Sequence, residues 1–285
     1  LFLESNEFYG DLPSELGRWQ HMKILQLSQN QLTGEIPSSL CQMASLEGLL
    51  LDENQFRGQI PSCVGQLPEL LVLDLSWNQL TGKIPRLANL HMRHLDFEGN
   101  NLSGQISKDL GQLRQLYHLR LSHNRLEGEL PLELGALQKL RYLYLNDNKI
   151  LGEIPPSFGQ MLELSVMSLA HNNLQGRIPA ELGQLQKLTL LDLCHNQLSG
   201  GIPPELGQLG NLLALALSYN RLSGEIPVQF NQLVVLDNLA LRSNQLTGDL
   251  AVLERLNFWK LDLGLNAFSG KISRLWAMDT LDLSH

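Results

Sequence analysis

The chain has 285 residues, 18% of them charged and 6% aromatic, with a formal net charge of −8. That acidic balance argues against a nucleic-acid partner, whose phosphates require a basic surface. No apolar run reaches the ~18 residues of a membrane span and no basic-plus-apolar leader is present, so no membrane contact is expected within this segment.

In chain order, one residue keeps returning: Asn6, Asn30, Asn54, Asn78, Asn100, Asn124, Asn148, Asn172, Asn196, Asn220, Asn244 and Asn266, with steps of 24 or 22 residues. Ahead of each stand two apolar residues in alternation, such as Leu143 and Leu145 ahead of Asn148. Period-two alternation predicts a short half-buried strand. One such strand cannot bury its apolar face alone, so it must stack on the next repeat. The asparagine falls where the chain turns inward. Its amide donors and carbonyl acceptor suit backbone groups that would cost ~1–3 kcal/mol each if buried unpaired. Asn30 to Asn266 are therefore read as an internal ladder. A glycine follows four residues after each asparagine, and a proline three residues later in most repeats, from Pro13 to Pro227. Glycine gives the tight loop its backbone conformation, and proline suits the end of a short edge segment.

Together these residues spell L-x-x-L-x-L-x-x-N-x-L-x-G-x-I-P, as in Leu140 to Pro155. The phrase resembles the plant-type leucine-rich repeat of receptor-like kinase and receptor-like protein ectodomains and of polygalacturonase-inhibiting proteins. The resemblance covers the whole chain. It implies an α/β-type repeat solenoid, a horseshoe or superhelix with a parallel concave sheet. A second short sheet would come from the L-x-G-x-I-P segments, and ligands would bind on the concave face. The reading is one domain over 1–285 of about twelve 20–24-residue repeats. Both ends are read as cut within a repeat: Leu1 enters in mid-strand, and His285 stops one residue before the asparagine that Leu281 and Leu283 predict.

Departures from the grid are few. Two residues are lost between Asn78 and Asn100, Ser107 replaces proline, and after Asn244 Ala251 and Ser273 do the same. Trp19 stands where later repeats have Leu67 and Leu113, so it is expected in the core. Cys41 and Cys63 lie in neighbouring repeats but two positions out of register, which weighs against the ~7 Å Cα approach that a bridge needs. Cys194 is read as a free thiol facing outward. Asn101-Leu102-Ser103 is a glycosylation sequon, expected on the surface.

No nucleotide loop, nucleophile elbow or metalloprotease motif occurs, so no catalysis, no cofactor and no metal are expected. The informative residues lie between the strand leucines and face away from the core. His94, Asp96, His118, Arg120, Tyr142 and Tyr144 stand out, flanked by Tyr117 and by Trp77 one repeat earlier. Aromatic residues and arginine dominate interface energetics, so these eight form the candidate ligand face. Some peptide-hormone receptors of the family grip a chain-end carboxylate with Arg-x-Arg on one strand. Here that position reads His118-Leu119-Arg120, with one arginine missing. A second column, His123, Asp147, His171, His195 and Tyr219, precedes the ladder asparagines and could titrate or meet a metal.

The resemblance implies a non-catalytic, extracellular recognition module of a cell-surface receptor-like protein or kinase. Its partner would be a peptide or protein, with a co-receptor as a further partner. The alternatives are a secreted inhibitor of a cell-wall-degrading enzyme, or an ice- or carbohydrate-binding surface protein. The mixed residue columns argue against the last.

Overall fold

The computed structural model describes residues 1–270 and 281–282; Ser273, Leu283 and His285 lie outside the described residues. The chain divides into two compact units, 1–148 and 149–285, with the boundary directly after a ladder asparagine.

In the first unit, Ile24–Gln26, Gly48–Leu50, Val72–Asp74, His94–Asp96, His118–Arg120 and Tyr142–Tyr144 are the strands of a parallel sheet. Each is three residues long, and successive strands pair position for position, Leu95 opposite Leu119 and Leu119 opposite Leu143. The central leucines Leu25, Leu49, Leu73, Leu95, Leu119 and Leu143 are all fully buried. Their flanking residues face the other way, so register fixes which side chains meet on the solvent side. In the second unit the same sheet type runs through Val166–Ser168, Leu190–Asp192, Ala214–Ala216, Asn238–Ala240, Lys260–Asp262 and Leu281–Asp282.

A second set of parallel strands follows the turns. In the first unit Arg57–Gln59, Gln79–Gly82, Asn101–Gln105 and Arg125–Glu129 pair in order. In the second, Ser199–Gly200, Arg221–Glu225, Gln245–Asp249 and Ala267–Ser269 do so. The helical part of most repeats is a 3-10 turn of four or five residues, absent only between Gly82 and His94 among the described repeats, and no α-helix occurs among the described residues. A 24-residue repeat leaves room for little more, and proline enters most of these turns at the N-cap.

The ladder asparagines tie the repeats together. Asn54 Nδ2 donates to the carbonyls of Leu51, Asp52 and, one repeat back, Leu27, while its Oδ1 accepts from the Leu32 N–H at 3.0 Å. Asn148 does the same with Leu145, Asn146, Leu121 and Leu126. One side chain thereby satisfies four backbone groups on two repeats, which an apolar residue cannot do.

Two expectations are corrected. Trp19 is 45% exposed, whereas Leu67 and Leu113 at the same position are 2% and 0% exposed. It closes the first described turn, so no earlier described repeat packs over its indole. Cys41 and Cys63 are bridged, with their Cα atoms 5.8 Å apart. The reason lies in how the 3-10 turns stack. Glycine occupies the position of Cys41 in most other turns. A Cβ on Gly17, Gly111 or Gly183 would fall on the carbonyl of Ser39, Glu133 or Glu205, each 22 residues further on. Cys63 is the residue 22 positions after Cys41. The apparent two-position offset is therefore the contact register of the turns.

Candidate functional site

The eight candidate residues all belong to the first unit. On its sheet, His94 pairs with His118 and His118 with Tyr142 in one column; Asp96, Arg120 and Tyr144 align in the next. The small strand spacing forces these side chains into contact. His94 and His118 meet edge to face with ring centroids 4.7 Å apart. His118 lies 5.0 Å from the Tyr142 ring and 6.2 Å from that of Tyr144. Tyr117 packs edge-on to Tyr142 at 5.5 Å, and the Arg141 guanidinium covers Tyr117 at 5.1 Å. The result is a continuous patch of rings, exposed at Tyr117 and half-buried at His94, His118, Tyr142 and Tyr144.

Arg120 has a different environment from the one its sequence position suggests. Its guanidinium lies 3.5 Å from Asp96, contacts Glu98 still more closely, and stacks over Tyr144 at 5.1 Å. Asp96 is not an open face residue: it is 3% exposed, because His94 and Arg120 from its own and the next strand cover it. Its Oδ1 accepts the Glu98 N–H at 3.0 Å. The arginine is thus committed to two buried carboxylates of its own chain rather than free for a ligand's carboxylate. Sequence reasoning missed Glu98. The column two residues before the ladder asparagine is mixed, with Ser28, Asp52, Ser76, Ser122 and Asn146 in neighbouring repeats, so the sequence carried no clear signal for Glu98.

Electrostatics follow from this crowding. Burial, then the Asp74 carboxylate, pushes the Asp96 carboxyl up to about 7, against the Glu98 N–H, Arg120 and His94. Burial also raises Asp74, but hydrogen bonds from His94 and Ser76 outweigh it and leave that carboxyl below the usual carboxylate value. Burial, with the neighbouring His94 and Arg120 charges, pushes the His118 imidazole down to about 4.

Trp77 is 51% exposed and flanks the patch from the preceding repeat. Its backbone is left-handed, with φ at 51°, and its indole lies across Gly99, where a Cβ would sit 2.6 Å from the ring. Glycine is needed there for that approach; its positive φ of 68° is shared by non-glycine residues at the same repeat position, such as Trp77 and His123. The His123 ring is 5.8 Å from Trp77, and His123 Nδ1 is 3.5 Å from Asp147. In the second unit His171, His195 and Tyr219 stack with centroids 4.1 and 4.2 Å apart and planes within 14°. Those rings share faces, and the column does not form a converging set of metal donors. Asn101 is half-buried on its strand and accepts a hydrogen bond from Arg125 at 2.8 Å. Cys194 is a free, half-buried thiol, and burial pushes it up to about 12.

Comparison with known proteins agrees with this architecture. A model of the leucine-rich repeat region matches residues 77–218, and leucine-rich-repeat models also match 21–43, 67–84 and 211–233. A leucine-rich-repeat protein of Leptospira interrogans is 30% identical, with a TM-score of 0.69; the alignment covers 95% of this chain and 75% of that one. The chain belongs to the leucine-rich-repeat family. The crystal structure of a TDR receptor matches with a TM-score of 0.94 at 30% identity, covering 100% of this chain and 50% of that one. The Arabidopsis receptor kinase HAESA, solved with the peptide hormone IDA and the co-receptor SERK1, matches with a TM-score of 0.81 at 32% identity. That alignment covers 99% of this chain and 52% of HAESA. The chain therefore spans about half the length of these plant receptor structures. No curated protein sequence matches. Among the described residues no helix is long and apolar enough to cross a membrane.

Proposed function

We propose that the chain is the extracellular ligand-recognition part of a cell-surface receptor-like protein. Its ligand is a peptide that lies across the sheet of the first unit. The observation that carries this reading is the ring patch of Tyr117, His118, Tyr142 and Tyr144, contiguous over two successive strands and half-open to solvent. Tyrosines held by neighbouring rings present large apolar area with little rotamer freedom left to lose on binding. The likeness to an ectodomain solved with a peptide hormone supports the same assignment. Co-receptor recruitment follows by the same analogy.

Arg120 enters this reading as a support for Tyr144, not as a carboxylate trap, because Asp96 and Glu98 already neutralise it. The test uses peptides selected by display on the folded protein. Tyr142→Ala and Tyr144→Ala should each weaken binding by about 30-fold, the effect of removing ~2 kcal/mol. Ala216→Ser, on the second unit's sheet face, should leave binding unchanged. Selected peptides that ignore both tyrosine substitutions and respond to Ala216→Ser would move the site to the second unit.

A further inference from the structure

Beside the ring patch, two neighbouring strands bring together one imidazole and two carboxylates. Donor atoms of Asp74, His94 and Asp96 all lie within 4.8 Å of one another. The backbone makes this convergence rigid: Asp74 and Asp96 are direct partners on neighbouring strands, and His94 sits two residues before Asp96. His94 Nε2 already points at Asp74 Oδ2, 3.8 Å away. Asp96 is the buried member, its side chain 4% exposed. Its Oδ1 is hydrogen-bonded to the Glu98 N–H. Its Oδ2 has the Arg120 guanidinium at 3.5 Å, well beyond the ~2.7–2.9 Å of a charge-assisted hydrogen bond. One oxygen of this buried carboxylate is thus without a close hydrogen bond.

Charge points the same way. Asp74, Asp96 and Glu98 stand against a single guanidinium, Arg120. With Asp96 ionised, as a metal ligand must be, the surplus is two negative charges, which a divalent cation cancels. We infer that Asp74, His94 and Asp96 form a binding site for a divalent first-row transition metal such as Zn²⁺. One nitrogen and two oxygen donors suit that class, and three protein ligands leave a fourth position for water or a ligand group. Bonds of ~2.0–2.1 Å place tetrahedral donors about 3.3 Å apart, so each side chain must move by only about 1 Å. Asp74 is anchored through its Oδ1, which accepts the Ser76 N–H and hydroxyl at 3.0 and 2.7 Å, leaving Oδ2 for the metal. This site does not depend on peptide recognition. If both exist, the metal would sit at the edge of the peptide face and offer its open position there.

Zn²⁺ titration by calorimetry, and Co²⁺ titration by visible absorption, test the inference on the folded chain. One equivalent should bind with a micromolar or tighter Kd and, for Co²⁺, give the absorption of a low-coordinate N/O site. His94→Ala and Asp96→Asn should each weaken binding by more than ~10-fold, since even changes outside the ligand set cost that much. His171→Ala and Cys194→Ser should not change it: the His171 ring is stacked on His195, and the Cys194 thiol stays protonated. Where Asp96→Asn compromises folding, Asp74→Asn provides the same reading from a less buried ligand. No binding by the folded parent up to ~1 mM Zn²⁺, or equal binding in the His94 and Asp96 variants, overturns the site.

Discussion

The sheet faces of the two units share a backbone and differ in what they carry. From His94 to Tyr144 the outward columns hold imidazoles, tyrosines, an arginine and one buried acid, Asp96. From Val166 to Ala240 the corresponding columns read Val166, Leu190, Ala214 and Asn238, then Ser168, Asp192, Ala216 and Ala240. The inward apolar residues, leucine except for Phe97 and Met167, and the ladder asparagines recur in both. Register and core therefore set the scaffold, and the outward positions vary without disturbing it. Chemistry concentrates where three neighbouring strands happen to present groups that can pair with one another.

The strongest way to probe that equality is through the cores. Leu145→Ala in the first unit and Leu193→Ala in the second should each cost ~2–5 kcal/mol, because both side chains are fully buried. Denaturant midpoints that differ widely between the two would break the idea of interchangeable scaffolds. Next in size is the buried ion cluster. Arg120→Ala should cost about 3 kcal/mol by leaving the Asp96 and Glu98 carboxylates uncompensated in a dry site. Arg242→Ala, paired with the half-buried Asp262 at 3.7 Å, should cost about 1 kcal/mol or less. Equal costs would mean that the first unit's cluster has no special burden.

Smaller again is the ladder. Asn148→Ala and Asn196→Ala should each destabilise by ~1–3 kcal/mol through orphaned backbone groups. A wild-type midpoint in either variant removes the ladder argument for that unit. The finest difference is in pH response. The His118 imidazole falls to about 4 from 6.5 in the folded chain, so the unfolded chain takes up its proton first. Its contribution to stability is lost as pH drops from 6.5 towards 4. Asp96 rises to about 7 from 3.8, so the folded chain holds that proton more tightly. Its contribution is full below 3.8 and is lost as pH rises towards 7. The two oppose each other at mildly acidic pH, and near neutrality Asp96 acts alone. Asp96→Asn should therefore flatten the decline in midpoint approaching neutrality and expose the acid-side loss due to His118. If its midpoint tracks that of the parent across this range, the two groups do not titrate as their burial dictates.

The residue pattern by itself determined the repeat. Asn148 with Leu143 and Leu145, recurring every 24 or 22 residues, specifies strand, turn and ladder, because only one arrangement buries those leucines and satisfies that amide. It also picked out the ring patch, since strand alternation tells which residues point outward. What it left open were contacts between repeats. Cys41 and Cys63 look misaligned along the chain, yet the stacked 3-10 turns bring their Cα atoms to 5.8 Å. Arg120 looks like a free cation until Glu98, two positions outside the strand alternation, is found beneath it. Asp96 looks exposed until the neighbouring strand covers it. Each depends on the sideways register of one repeat on the next. Local sequence periodicity fixes the direction a side chain takes, but the tertiary stack decides what it meets there.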